Sequence, residues 1–370
     1  MKHPLPPGGR NRLVELDALR GLAALCVLLY HGWYSQPVQP LALGWLFQHT
    51  PLHVVTSGRQ PVVFFFVLSG FVLTRAMLAS PPPSWANYAA QRTVRLGLPV
   101  AGALVASVLL YALAWRGPLP DWSGGHYMVE AMWTEPPNLP GLLRQALLLG
   151  HDGEISLDPV LWSLVHEWRV SMLLPAVLLF RRRPLGLLGV GLAAWLVAGA
   201  LGAHGTAVGL GATLPETLLA TLYFLLPFCV GGALALAPAP PLARWVRVML
   251  GLAVLALACT NDDVAGILAS ALLIVLARQP GPLLAWLRWR GPVWLGKVSF
   301  SLYLIHLPLL AAMVHLLEGI ASQSLAVGLG MLASLPAAAL LHRAVEQPAH
   351  RLAKRMAGWG HRRLAASAAG

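Results

Sequence analysis

Several side chains in this sequence have the types and spacings that proton transfer and anion recognition require. Arg20 and His31 stand eleven residues apart in the run Glu15-Leu16-Asp17-Ala18-Leu19-Arg20-Gly21 through Tyr30-His31. On a helix that spacing is three turns plus about 20°, so both fall on one face, separated by roughly 16 Å along the axis. Histidine titrates near neutrality and suits a general base, while a guanidinium suits phosphate. Asp17 lies three residues before Arg20 and can pair with it. Taken singly, Arg20 could snorkel to an interface and His31 could cap the far one; that reading explains their shared stripe less well.

Two further clusters have the same character. Ser163 and Glu167 are i,i+4 neighbours, and Trp162, His166 and Arg169 follow at i, i+4, i+7 beside them. Ser299, Tyr303 and His306 form a third stripe at i, i+4, i+7, just before Pro308, which removes a backbone hydrogen bond. A structural ion-pair network competes with a functional reading of the Glu167 cluster. A hydrogen-bonded packing role competes with a site role for His306. Ser69-Gly70, within Phe64-Phe65-Phe66-Val67-Leu68-Ser69-Gly70-Phe71, reads first as a close helix contact.

The elements that must position these residues are apolar throughout. Of 370 residues, 57% are hydrophobic and 11% charged, and the mean hydropathy is +0.66. A soluble domain is usually about 25% charged, so this chain lacks the residues for a hydrated shell. Soluble, disordered and fibrous classes are excluded. Apolar runs of about 20 residues recur from end to end, whereas a transmembrane barrel would show shorter alternating segments. The expected fold is all-α: a polytopic integral membrane helical bundle. Ten candidate spans lie roughly at 14–34, 60–79, 96–115, 159–180, 185–203, 215–237, 246–260, 264–278, 293–316 and 323–342. The seventh and eighth are short and meet at Thr260-Asn261-Asp262-Asp263, a tight-turn sequence. The first carries Asp17 and Arg20 and is read as an uncleaved span.

Charge sorts by loop. The chain holds 26 Lys and Arg against 14 Asp and Glu, for a net +12. With the N-terminus inside, 20 of the basic residues fall on the cytoplasmic side and only Arg59, Arg116 and Arg144 on the other. This is the positive-inside pattern, and it predicts both termini in the cytoplasm. It also removes nucleic acid as the reason for the basic balance. The organisation expected is a cytoplasmic segment 1–13, a transmembrane domain 14–342 with a long outside loop at 116–158, and a basic tail 343–370 along the anionic inner leaflet. The location expected is the bacterial inner membrane. After this sorting Arg20, Arg169 and Lys297 remain at intramembrane depth, joined by Asp17, His31, His166, Glu167 and His306. Such groups are functional candidates by default. Arg75, Arg92 and Arg95 gather at the cytoplasmic mouth around Pro81-Pro82-Pro83, either as phosphate ligands or as positive-inside charge alone. Cys26, Cys229 and Cys259 have neither disulfide nor zinc spacing. His151-Asp152-Gly153-Glu154 is read as a solvated loop, and no metal site is expected.

Five motifs in order carry a resemblance. They are Arg20-x10-His31; Phe65-Phe66-Val67-Leu68-Ser69-Gly70-Phe71; Trp162-Ser163-Leu164 with Glu167; Ser299-Phe300-Ser301-Leu302-Tyr303-Leu304 with His306 and Pro308; and Glu346-Gln347-Pro348. Over about residues 13–350 the chain resembles the membrane acyltransferase 3 family, which O-acylates surface glycans and related acceptors. It departs from many members in having Trp168, Arg169, Val170 and Ser171 where a second acid and Phe-Tyr are frequent. Phe300 stands where Tyr is frequent.

The resemblance implies a cytoplasmic acyl-CoA donor, acetyl-CoA first, as co-substrate, and no permanently bound cofactor. It implies His31 as a catalytic residue and arginines near the cytoplasmic face, Arg20, Arg75, Arg92 and Arg95, as donor ligands. The acceptor would be a hydroxyl of a glycan, glycolipid or similar molecule. The residues suit that chemistry on their own account. His31 can take a hydroxyl proton, Glu167 can orient a catalytic or acceptor-binding group, and Tyr303, Ser69 or Arg20 can donate to a developing oxyanion. Trp162, Ser163 and His306 complete the substrate candidates. No Gly-x-Ser-x-Gly elbow or evident Cys nucleophile occurs, so direct attack is simpler than an acyl-enzyme. Two other classes keep polar residues in a membrane: a transporter or flippase of a glycan or lipid precursor, which should not turn over acyl-CoA, and a non-catalytic partner of a glycan-synthesis complex.

Overall fold

The structure, a computed structural model, describes residues 13–36, 44–47, 50, 52–80, 82, 84–119, 132–149, 151, 155–205 and 208–357. The N-terminal segment, Asp152 to Glu154, residues 120–131 of the long loop and the last thirteen residues of the tail lie outside them. All regular structure among the described residues is helical.

The ten apolar runs each form helix. In chain order the elements are α1 (Val14–Tyr34), α2 (Arg59–Ala79), α3 (Trp85–Ala114), a short α4 (Leu139–Ala146) and α5 (Leu161–Leu173), which runs on as a 3₁₀ turn over Leu174–Phe180. Then follow α6 (Pro184–Ala200), α7 (Leu214–Tyr223), α8 (Leu225–Leu236), α9 (Arg244–Ala258), α10 (Asp263–Ala277), α11 (Arg290–Leu317) and α12 (Gln323–Leu341). Six stretches are long and apolar enough to cross a membrane: α2, α3, α5 with its 3₁₀ turn, α7 with α8, α11, and α12 with its continuation. α6 and α10 are apolar but shorter.

Local sequence explains where the helices begin. Ser84, Asn138, Thr213, Asp262 and Ser322 each accept a first-turn backbone N–H as side-chain caps. The Ser84 cap corrects one expectation. α3 starts at Trp85, eleven residues before the apolar window at 96, so Arg92 and Arg95 are helical and not loop residues. Polar side chains in its first turns hid this part of the helix from a hydropathy reading. A second difference concerns the tail. The chain makes a π turn at His342–Glu346 and stays helical to residue 357, with Glu346, Ala349 and Ala353 buried. Those residues belong to the bundle.

Packing is closest where two glycines meet. A Cβ on Gly70 of α2 would fall on the Phe228 backbone, and one on Gly231 of α8 on the backbone of Val67 and Phe71. Only bare backbone lets these helices approach so far. The turn between α9 and α10 is pinned to the start of α2. Arg59 makes a bidentate pair with Asp263 at 2.9 and 2.7 Å, Gln60 donates to the Thr260 and Asp262 carbonyls, and His53 meets Asn261 at 2.9 Å. α9 itself buries none of its residues and exposes Trp245, Met249, Leu252 and Leu255. In water such a face would aggregate, while in a bilayer it meets its own kind. The protein is an integral membrane protein. At its centre α11 packs against α1, α3 and α12, and it runs unbroken through Pro308.

Candidate active site

The site is built on the parallel pair α1 and α11. They cross where Gly21 faces Gly296: a Cβ on Gly21 would collide with the backbone of Leu295 and Gly296, and one on Gly296 with that of Asp17. The approach lets Arg20 donate from Nε to Ser299 Oγ and from Nη2 to the Gly296 carbonyl, each at 3.0 Å. Three turns further along both helices, His31 Nδ1 lies 2.9 Å from His306 Nε2. His31 is 7% exposed and His306 is wholly buried. Arg20 and the histidine pair are therefore one stripe of α1 read by one stripe of α11.

The protons of the pair follow from a carbonyl. His306 Nδ1 sits 3.0 Å from the Leu302 carbonyl oxygen, which can only accept, so Nδ1 carries a hydrogen. In neutral His306 the lone pair is then on Nε2, and it accepts from His31 Nδ1–H. That tautomer makes Nε2 the basic nitrogen of His31. A base whose second nitrogen is held by a fixed partner is the arrangement general-base catalysis uses. If His31 takes a proton, its Nδ1–H bond to His306 becomes charge-assisted and strengthens.

Beside the pair, the Tyr303 hydroxyl lies 2.7 Å from Ser163 Oγ and 3.2 Å from the Val160 carbonyl. Ser163 was read with Glu167, but the two face different helices. Glu167 Oε1 accepts from Ser69 Oγ at 2.9 Å and from Arg92 Nη2 at 2.5 Å, and Arg92 Nε reaches Ser171 Oγ at 3.2 Å. Among the expected oxyanion donors, the Ser69 and Tyr303 hydroxyls thus have protein partners. Arg92 is buried and bound to a carboxylate. Arg95 is solvent-accessible, yet the charges of Arg92, Arg20, Glu167 and Glu346 all act on it. Besides Arg92 on its own helix, the charges that act on it come from three other elements, α1, α5 and the turn after α12, and this end of the bundle forms a charged mouth. Arg20 and Arg92 are near enough for their charges to act on Arg95. Arg75 does not join them; it lies 5.6 Å over the Phe71 ring, which Arg278 approaches at 5.5 Å.

One member of this mouth had no expected role. Glu346, 2% exposed, accepts from Ser301 Oγ at 2.6 Å and lies 2.8 Å from His342 Nδ1 and 3.8 Å from His350 Nε2. The sequence signal was present as His342, Glu346 and His350 at steps of four. The intervening π turn is a feature often found at functional sites.

Other polar residues are satisfied elsewhere. Trp162 packs with Phe66, Phe224 and His166, under the Arg59 guanidinium at 5.4 Å. His166 spans Thr221 Oγ1 at 2.8 Å and the Gly209 carbonyl at 3.0 Å, and Arg169 donates to Thr217 Oγ1 at 2.6 Å. The last three tie α5 to α7 and to the segment that precedes it. Lys297 is exposed. Among the described residues no group of three His, Cys, Asp or Glu side chains could hold a metal ion.

Comparison with known proteins agrees with this architecture. An O-acetyltransferase, PaAT-1 of Phomopsis amygdali, is 28% identical over 160 residues, covering 39% of this chain. The chain spans only about a third of that relative's length, 31%. No solved structure gives a significant match. The acyltransferase domain of the acyltransferase 3 type matches residues 13–343, from the start of α1 to the π turn that follows α12. With Arg20 and the histidine pair inside that match, the chain belongs to the membrane acyltransferase 3 family.

Proposed function

We propose that the protein is a membrane O-acyltransferase. It moves an acyl group, acetyl in the first instance, from cytoplasmic acyl-CoA to a hydroxyl of a glycan, glycolipid or similar acceptor. The observation that carries this reading is the buried His31–His306 pair standing three turns above Arg20 in a bundle of this family. The O-acetyltransferase relative supports the choice of oxygen acceptor and acetyl donor. The sequence charge asymmetry supports ten spans with both termini in the cytoplasm and the arginine mouth on that side.

In this mechanism the donor phosphates rest at the mouth. Arg95 is accessible there, and the hydrogen-bond partners of Arg20 are neutral oxygens, so both keep positive charge for an anion. Arg92 is already neutralised by Glu167 and shapes the mouth. The thioester arm extends along α1 across the roughly 16 Å to His31. The acceptor hydroxyl attacks the thioester carbonyl as His31 Nε2 removes its proton. The tetrahedral intermediate collapses, the carbon–sulfur bond breaks, and the departing thiolate recovers the proton from His31. The pair thus returns to its starting state, with the ester formed and free CoA released.

The test is acetyl-CoA turnover by purified protein across a panel of hydroxylated acceptors, with His31→Ala alongside. Acceptor-dependent release of CoA that His31→Ala abolishes, with insertion and yield unchanged, is the expected result. Full activity in His31→Ala overturns the assignment of the base. Transport of a glycan or lipid precursor without any CoA release overturns the reaction class.

A further inference from the structure

The stretch joining α3 to α5 does not stay at one end of the bundle. The Trp133 ring stands edge-on to Tyr111 near the end of α3, with centroids 5.4 Å apart. Thirteen residues on, the Ala146 carbonyl oxygen lies 3.6 Å from the position of a Cβ on Gly97. Gly97 precedes Tyr111 by fourteen residues, which is about 21 Å down the α3 axis. The chain then climbs again, and Ser107 Oγ donates to the Leu157 carbonyl at 2.7 Å. Five residues, 134–138, and the eight-residue α4 can cover this descent, since extended chain spans about 3.3 Å and helix about 1.5 Å per residue. α3 is one of the helices long and apolar enough to cross a membrane.

We infer that residues 134–149 form a re-entrant segment, entering from the Trp133 end and laying α4 against lipid acyl chains at the depth of the α3 interior. The exposed side of α4 fits that partner. Leu139, Leu143 and Leu147 repeat every four residues and are 68%, 54% and 55% exposed. α3 likewise exposes apolar side chains at Leu98, Val105 and Leu109. The opposite side of α4, Gly141 and Gln145, is buried. Irregular backbone at membrane depth must be covered by protein or line a wet cavity. Here a cavity of about 190 Å³ lies behind α4, with Glu135, Asn138, Gln145 and Ser156 in its wall. Arg144, two residues from Ala146, is carried toward the level of Arg95. That placement moves one of the three cations counted on the outer side to the inner one.

The experiment needs no knowledge of the reaction, so its outcome is separate from that of the proposed function. In a chain with Cys26, Cys229 and Cys259 replaced by Ala, single cysteines are placed by Arg116→Cys, Arg182→Cys and Arg144→Cys. Each is exposed to a membrane-impermeant maleimide from either side of oriented vesicles. Residues 116 and 182 serve as references for the two sides. Position 144 should resist reagent applied from the side that labels 116. Spin labels at Leu139→Cys, Leu143→Cys and Leu147→Cys should meet oxygen more readily than a water-soluble nickel chelate, increasingly so toward 147. Labelling of 144 from the 116 side at the rate of 116 itself, or nickel contact at 147 equal to that at 116, overturns the inference.

Discussion

The sharpest consequence of the histidine pair concerns His306, which would touch neither donor nor acceptor. Its Nε2 accepts from His31 Nδ1 at 2.9 Å, and its own Nδ1–H is fixed by the Leu302 carbonyl at 3.0 Å. The bond matters little while His31 is neutral and more once it holds the substrate proton. A hydrogen bond to a charged group contributes about 1.5–3 kcal/mol. If that is lost only in the transition state, each 1.36 kcal/mol is tenfold, so kcat should fall by about 10- to 150-fold. The KM for donor and acceptor should hold, because neither contacts His306. His306→Gln tests this with similar bulk and an amide oxygen that can still accept, and His306→Ala removes the acceptor altogether. The expected order of kcat is wild type, then Gln, then Ala, with His31→Ala below all three. Initial rates of CoA release at saturating donor measure it. A kcat in His306→Ala equal to wild type, in protein shown to be folded by thermal unfolding in detergent, refutes the argument that His306 positions the base.

Other perturbations probe the frame around the pair. Glu167→Gln leaves Arg92 buried without its carboxylate, and breaking a buried pair costs about 3–5 kcal/mol. Its thermal unfolding in detergent should come clearly earlier, and replacing both partners by Leu and Met should restore most of the loss; an unshifted transition in Glu167→Gln would show that the pair contributes nothing. Gly296→Val forces side-chain atoms onto the Asp17 backbone and should abolish both folded yield and activity. Gly328→Val, at a glycine with open space, is the matched control and should behave as wild type.

The sequence made the helices legible because apolarity over some 15–30 residues is a local property. Ten runs could be read without knowing what lies beside them. Contacts between runs were another matter. The Arg20 and His31 stripe is visible within α1, but that Ser299 and His306 answer it depends on the Gly21–Gly296 crossing, more than 270 residues apart in sequence. Ser163 and Glu167 share a face by spacing and yet serve different neighbours, Tyr303 and Arg92. Helical periodicity identifies a face without saying what that face meets. Arg92 and Arg95 lie outside the apolar window because hydropathy begins where polar side chains end, not where the Ser84 cap starts the helix. Glu346 carries its signal in a four-residue rhythm with two histidines, which has no meaning until Ser301 is brought to it.

Four side chains within eight residues of α11 each hold a different group: Ser299 the Arg20 guanidinium, Ser301 the Glu346 carboxyl, Tyr303 the start of α5, and His306 the His31 imidazole. A helix is stiff along its axis, so these contacts share one mechanical degree of freedom. A phosphate that drew Arg20 away from Ser299 would relax the same rod that sets the His31–His306 distance. Occupancy of the mouth and geometry at the base are then linked quantities, and linkage is reciprocal. Whatever factor a bound donor applies to acceptor affinity, the acceptor must return to the donor. Equilibrium binding of one substrate, titrated at fixed levels of the other, measures that coupling from both directions.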